Sequence, residues 1–130
     1  MRLLLDTHIF LWWLTDNRRL SATARAHISD EGSTVFVSAV SIWEIAIKGA
    51  LGKLVLDKAD RNRLAKLPEL CFFEDLPVTG AHAAHVWELP PHHQDPFDRL
   101  LIAQAALEGL TIVTADSAFD DYDVDLLPAT

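Results

Sequence analysis

One cysteine in 130 residues allows no disulfide within the chain. Cys71 stands between Leu70 and Phe72-Phe73, an apolar setting, and a lone thiol of this kind fits a reducing cytoplasm. Long apolar runs are missing too. No stretch approaches the roughly 20 apolar residues a helix needs to span a bilayer, so no membrane partner is expected. The start Met1-Arg2-Leu3-Leu4-Leu5 resembles a secretory leader only until Asp6 and His8 interrupt it, and no small-residue cleavage site follows Trp12-Trp13. The expectation is a soluble, unprocessed, cytoplasmic protein.

Familiar catalytic signatures are also lacking. There is no Gly-x-Gly-x-x-Gly, no Gly-Lys-Ser/Thr phosphate loop and no Gly-x-Ser-x-Gly elbow, which sets aside dinucleotide binding, P-loop chemistry and serine hydrolysis. Positive charge is scarce: 11 Lys and Arg face 19 Asp and Glu, for a net charge of −8. A passive nucleic-acid-binding module needs a basic footprint, which this composition does not supply. Much of the acid is concentrated, however, at four positions, Asp6, Glu44, Asp98 and Asp116, and in the tail with Asp120, Asp121, Asp123 and Asp125. Bound divalent ions would invert the field there, so the charge weighs more against a passive binder than against a metal-dependent nuclease.

What the chain does have is apolar residues, half of its composition, in short runs that alternate with helical patterns. The length suits one domain, spanning 1–130, with a real core. Arg2–Leu5 and Thr34–Val37 read as buried strands, each followed by a helix; a further helix runs from Ser21 to about Ser29. Asp57–Leu67 is a charged helical stretch with Arg61 and Arg63 facing solvent, and Cys71-Phe72-Phe73 reads as a short strand. Thr79 caps a helix, Pro90–Gln94 is a loop, and Asp95-Pro96 starts a helix ending at Gly109. Leu110–Val113 and Val124–Leu127 complete the strands. Such alternation gives a three-layer α/β/α sandwich on a mostly parallel five-stranded sheet, whose sites form at the carboxyl ends of the strands.

Four acids stand near those ends or at helix starts: Asp6 after Leu3-Leu4-Leu5, Glu44 in Ser41-Ile42-Trp43-Glu44, Asp98 in Asp95-Pro96-Phe97-Asp98, and Asp116 after Ile112-Val113-Thr114-Ala115. Each has a bland explanation. Asp6 and Asp116 are placed as N-caps, and the Ser41/Glu44 and Asp95/Asp98 spacings are those of capping boxes. Capping does not require an acid after every strand, though, and like charges brought to one cleft need cations to be stable. Convergence on a metal site is therefore the better joint account.

The remaining candidates read more plainly. His92 and His93 in the loop, and His82 and His85 one helical turn apart, have no cysteine partner at ligand spacing, so a zinc site is disfavoured. Trp12-Trp13 and Trp43 are expected in the core or on an oligomer surface rather than stacked on bases. Arg18-Arg19 reads as a solvated turn.

With these residues in hand, the chain resembles the PIN-domain family and, within it, VapC-type toxins of bacterial toxin–antitoxin systems. Leu4-Leu5-Asp6-Thr7-His8 resembles the family's opening motif and Val37–Ile45, containing Trp43-Glu44, its second. Asp95-Pro96-Phe97-Asp98-Arg99-Leu100-Leu101-Ile102-Ala103-Gln104-Ala105 is the most specific stretch, and Ile112–Asp116 matches the last motif. The resemblance implies a Mg²⁺- or Mn²⁺-dependent endoribonuclease acting on RNA, a homodimer held in check by a cognate antitoxin. It implies Asp6, Asp98 and Asp116 as direct metal ligands, with Glu44 acting partly through water. It also suggests Thr7 and Thr114 as groups that orient carboxylates or water, Arg99 or Lys48 as contacts to the scissile phosphate, and Asp95 as a nearby fifth acid. The rival reading is a non-catalytic interaction module of the same fold; a phosphatase is disfavoured because His8 stands where such enzymes place a second acid.

Overall fold

The computed structural model describes residues 1–130. Its centre is a five-stranded sheet in the order β3-β2-β1-β4-β5, with every neighbouring pair parallel. The strands are β1 (Arg2–Leu5), β2 (Thr34–Ser38), β3 (Glu74–Leu76), β4 (Thr111–Thr114) and β5 (Leu126–Pro128). Between them lie α1 (Thr7–Leu14), α2 (Ala22–Ser29), α3 (Ala39–Ala50), α4 (Lys58–Asn62), α5 (Leu67–Leu70), α6 (Gly80–His85) and α7 (Pro96–Glu108).

The period of two along β1 explains the layers. Leu3 and Leu5 point to one face and join Val35, Val37 and Val113 with Ile9 and Phe10 of α1 and Ala24 and Ile28 of α2. Leu4 points to the other face and packs with Ile112, Leu101, Ile102 and Ala105 of α7, and Phe119. Apolar residues on both faces are what a central parallel strand requires, because helices cover both sides. No helix is long and apolar enough to cross a membrane.

Helix ends follow their capping chemistry. Ser21 Oγ accepts from the Ala24 amide at the start of α2, Asp95 Oδ1 accepts from the Phe97 and Asp98 amides at the start of α7, and Gly109 ends α7 at φ 65°. Two expectations need correction. The stretch Asp57–Leu67 breaks into α4, a 3₁₀ turn (Leu64–Lys66) and the start of α5, because Arg63 leaves the helical region at φ −124° and ψ 25°. Cys71-Phe72-Phe73 is a turn rather than a strand: Phe72 adopts φ 62° with its ring almost wholly exposed, and the strand begins one residue later, at Glu74.

Candidate metal centre

The chain reverses its progress across the sheet at β1, running outward through β2 to β3 and then returning to place β4 on β1's other side. In open parallel sheets the crevice outside the strand C-termini at such a reversal is where ligands bind. Asp6 immediately follows β1 and Asp116 lies two residues beyond β4, so two of the four acids open this crevice. Glu44 comes from α3, which leaves β2, and Asp98 from the first turn of α7.

Capping accounts for only one of the four. Asp116 Oδ1 accepts from the Ala118 amide at 2.9 Å, as an N-cap should. Asp6 makes no cap bond to α1; its Oδ2 instead accepts from the Thr114 hydroxyl at 2.8 Å. Ser38, not Ser41, caps α3, so Glu44 sits inside the helix and belongs to no capping box. Asp95 caps α7, which leaves the Asp98 carboxylate to bond His93 Nε2 at 2.7 Å. Asp6, Glu44 and Asp98 are 3%, 2% and 8% exposed, whereas Asp116 lies at the open edge.

The buried acids repel one another in a setting that disfavours charge. Burial pushes the Asp6 carboxyl above its ordinary value, with the Thr114 hydroxyl opposing and the Glu44 charge reinforcing the shift. Asp98 is pushed up to about 7, first by burial and then by the charge of Asp6, against the opposing bond from His93. One ammonium answers these charges: Lys48 Nζ donates to Glu44 Oε2 at 2.5 Å, and that bond holds Lys48 above its usual range. Glu44 Oε1 remains buried with no partner.

The supporting residues take definite places. The Thr114 hydroxyl donates to Asp6 and accepts from the Asp116 amide at 3.0 Å, linking two of the acids. The Thr7 hydroxyl donates to Ser41 Oγ at 2.9 Å, tying α1 to α3, while the Thr7 backbone amide acts on the Asp6 carboxyl. Arg99, expected as a phosphate contact, is bonded within the chain. Its guanidinium donates to the Pro90, Val86 and Leu89 carbonyls and to the Tyr122 hydroxyl. Lys48 is likewise engaged, by Glu44.

Residues 3–125 match the PIN domain family. The chain belongs to the PIN-domain family. It is 32% identical over 121 residues to Ribonuclease VapC22 of Mycobacterium tuberculosis, covering 87% of this chain and 85% of that one. Its fold matches that of VapBC2 from Rickettsia felis, solved bound to a promoter DNA fragment, over the whole of both chains with TM-score 0.73 at 17% identity. FitAcB from Neisseria gonorrhoeae matches with TM-score 0.69 at 25% identity, over 96% of each chain.

This PIN-domain crevice has the donor set of a divalent-cation site. Carboxylate oxygens suit hard cations, and an orphaned Glu44 oxygen beside mutually repelling Asp6 and Asp98 is what a cation would satisfy. His93, disfavoured from the sequence as a zinc ligand, stands with two of the acids: one ligand atom each from His93, Asp98 and Asp116 falls within 4.8 Å of the other two, a group that does not include Asp6 or Glu44. The signal was available in its position. A loop that must turn into a helix at Asp95-Pro96 folds back over the first turn, where Asp98 lies. Of the other histidines, His8 is near enough for its charge to act on Asp6, His92 is exposed, and buried His82 closes the capping box of α6 and meets Glu108.

Proposed function

We propose that this PIN-domain protein is a Mg²⁺- or Mn²⁺-dependent endoribonuclease and the toxin of a toxin–antitoxin pair, acting in the cytoplasm as a homodimer. What supports the reading is that ligand atoms of Asp98, Asp116 and His93 fall within 4.8 Å of one another, with Asp6 in charge range of both Asp98 and Glu44 and a buried Glu44 oxygen left unpartnered. The ribonuclease relative supports RNA as the substrate, and neighbours of the same fold described as a toxin–antitoxin complex and as a member of the VapBC family of toxin–antitoxin systems support such a partner.

A bound divalent ion would supply Lewis-acid activation of water and charge neutralisation at the phosphodiester. Asp6, Asp98 and Asp116 would hold it directly, with Glu44 acting partly through water. The protein's own groups prepare that role. Thr114 fixes the Asp6 carboxylate by donating to it, and links it to the Asp116 backbone. Lys48 engages one oxygen of Glu44 and leaves the other available. Asp95 fixes the first turn of α7, so Asp98 is presented from a rigid element. Arg99 and Tyr122 hold the loop that covers this turn.

Purified protein incubated with RNA should cleave it with Mn²⁺ or Mg²⁺ and stop on chelation, and Asp98→Asn should be inactive yet folded. Cleavage that survives both chelation and Asp98→Asn would reject the reading. A non-catalytic interaction module would have no reason to hold three acids buried against one another's charge.

A further inference from the structure

We propose that His93 is itself a metal ligand, so that the centre is a mixed nitrogen and oxygen site that prefers Mn²⁺ to Mg²⁺; this rests on the metal-nuclease reading above. The geometry is specific. His93 Nε2 lies 2.7 Å from Asp98 Oδ2, and ligand atoms of His93, Asp98 and Asp116 all fall within 4.8 Å of one another. Two donors bound to one ion at about 2.1 Å, at right angles, sit about 3 Å apart, so this spacing needs little adjustment to close on a cation.

The ring is also built into place. The His93 amide donates to the Tyr122 hydroxyl at 2.8 Å, and Arg99 donates to that hydroxyl and to three carbonyls of residues 86–90. Phe119, fully buried, packs edge-on against the imidazole at 6.4 Å between ring centres. Neighbouring His92 shows the contrast: it is exposed, its ring packs on Tyr122, and it is not part of the group formed by His93, Asp98 and Asp116. A loop strapped this firmly holds one imidazole nitrogen against the cleft, whereas a solvated histidine needs no such strapping.

Chemistry then sets the preference. Carboxylates take Mg²⁺ and Mn²⁺ alike, while an imidazole nitrogen favours first-row transition ions over Mg²⁺. A ligand and a mere positioning residue therefore differ in a measurable way. Loss of a residue that only orients Asp98 would weaken both ions equally; loss of a nitrogen ligand weakens Mn²⁺ selectively.

The test uses the full chain, titrated with Mn²⁺ and separately with Mg²⁺, together with pulsed EPR of the Mn²⁺ complex. Wild type should show the ¹⁴N coupling of a directly bound imidazole. His93→Gln should lose that coupling and about tenfold in Mn²⁺ affinity, while Mg²⁺ affinity changes by less than about threefold. His93→Ala should repeat the result, and thermal melting confirms that both variants fold. Bound Mn²⁺ without a nitrogen coupling, a coupling that survives His93→Gln, or equal losses for both ions would overturn the ligand role and leave the nuclease reading standing. No Mn²⁺ binding by wild type would overturn both.

Discussion

Two buried polar clusters lie in this protein, one at the strand ends and one between the sheet edge and α7, and they are built on opposite terms. In the second, Ser38 Oγ donates to Gln104 Oε1 at 2.5 Å, and Gln104 Nε2 donates to the Pro77 carbonyl. His82 Nδ1 accepts from the Thr79 amide while its Nε2 meets Glu108 at the surface. Ser38, Gln104 and His82 are 2% exposed or less, yet none carries an unpartnered side-chain atom. The acid cleft is equally buried but holds carboxylates pressed together and an orphaned Glu44 oxygen. A satisfied network stabilises and specifies a fold; an unsatisfied one persists where something outside the chain completes it.

That contrast can be broken from either side. The largest effect belongs to the cleft: Asp6→Asn or Asp98→Asn should lower RNA cleavage about a thousandfold, the loss of several kcal/mol of transition-state stabilisation, with thermal stability kept or raised. Parallel cleavage and melting assays decide it, and a variant that unfolds instead would make the cleft structural. Gln104→Ala should do the reverse, destabilising by about 2–4 kcal/mol in urea unfolding through a cavity and orphaned polar partners. Cleavage per folded molecule should not change.

Divalent ions sharpen the same difference. Mn²⁺ at about 100 times its dissociation constant should stabilise wild type by about 2.7 kcal/mol and Asp98→Asn far less, read by melting temperature. An equal shift in both proteins would place the ion elsewhere. The smallest effect is expected from pH, because water at the cleft mouth relaxes the repulsion. A carboxyl whose folded value is raised from 3.8 to about 7 binds more protons folded than unfolded between those limits. Without metal, stability should therefore be greatest at the acid end of that window and fall as pH rises toward 7. Urea unfolding at both ends of the window, repeated on Asp98→Asn, checks the sign; an unchanged slope in the variant would assign it to another group.

Much of the fold was legible because it depends on local pattern. Alternating apolar runs, Ser21, Thr79 and Asp95 as caps, and Gly109 as a stop place the elements of the observed structure to within a few residues. The readings failed where long-range packing overrides local preference. Phe72 looks like a strand residue but sits exposed in a left-handed turn, and Arg63 leaves the helical region within a stretch that reads as one helix. At the cleft, positions were readable and partnerships were not. Residue type suggested caps for Asp6 and Glu44, while their partners are a threonine 108 residues away and a lysine one helical turn on.

By itself, the sequence determined the order of strands and helices and set four acids at strand ends and helix starts. Only the tertiary structure decided which acid caps a helix, which oxygen is orphaned, and that one loop histidine joins the cluster while its neighbour faces solvent. The physical reason is range. Strand and helix signals act over a few residues, whereas hydrogen bonds, burial and charge repulsion depend on what folding brings within a few ångströms, at any distance along the chain.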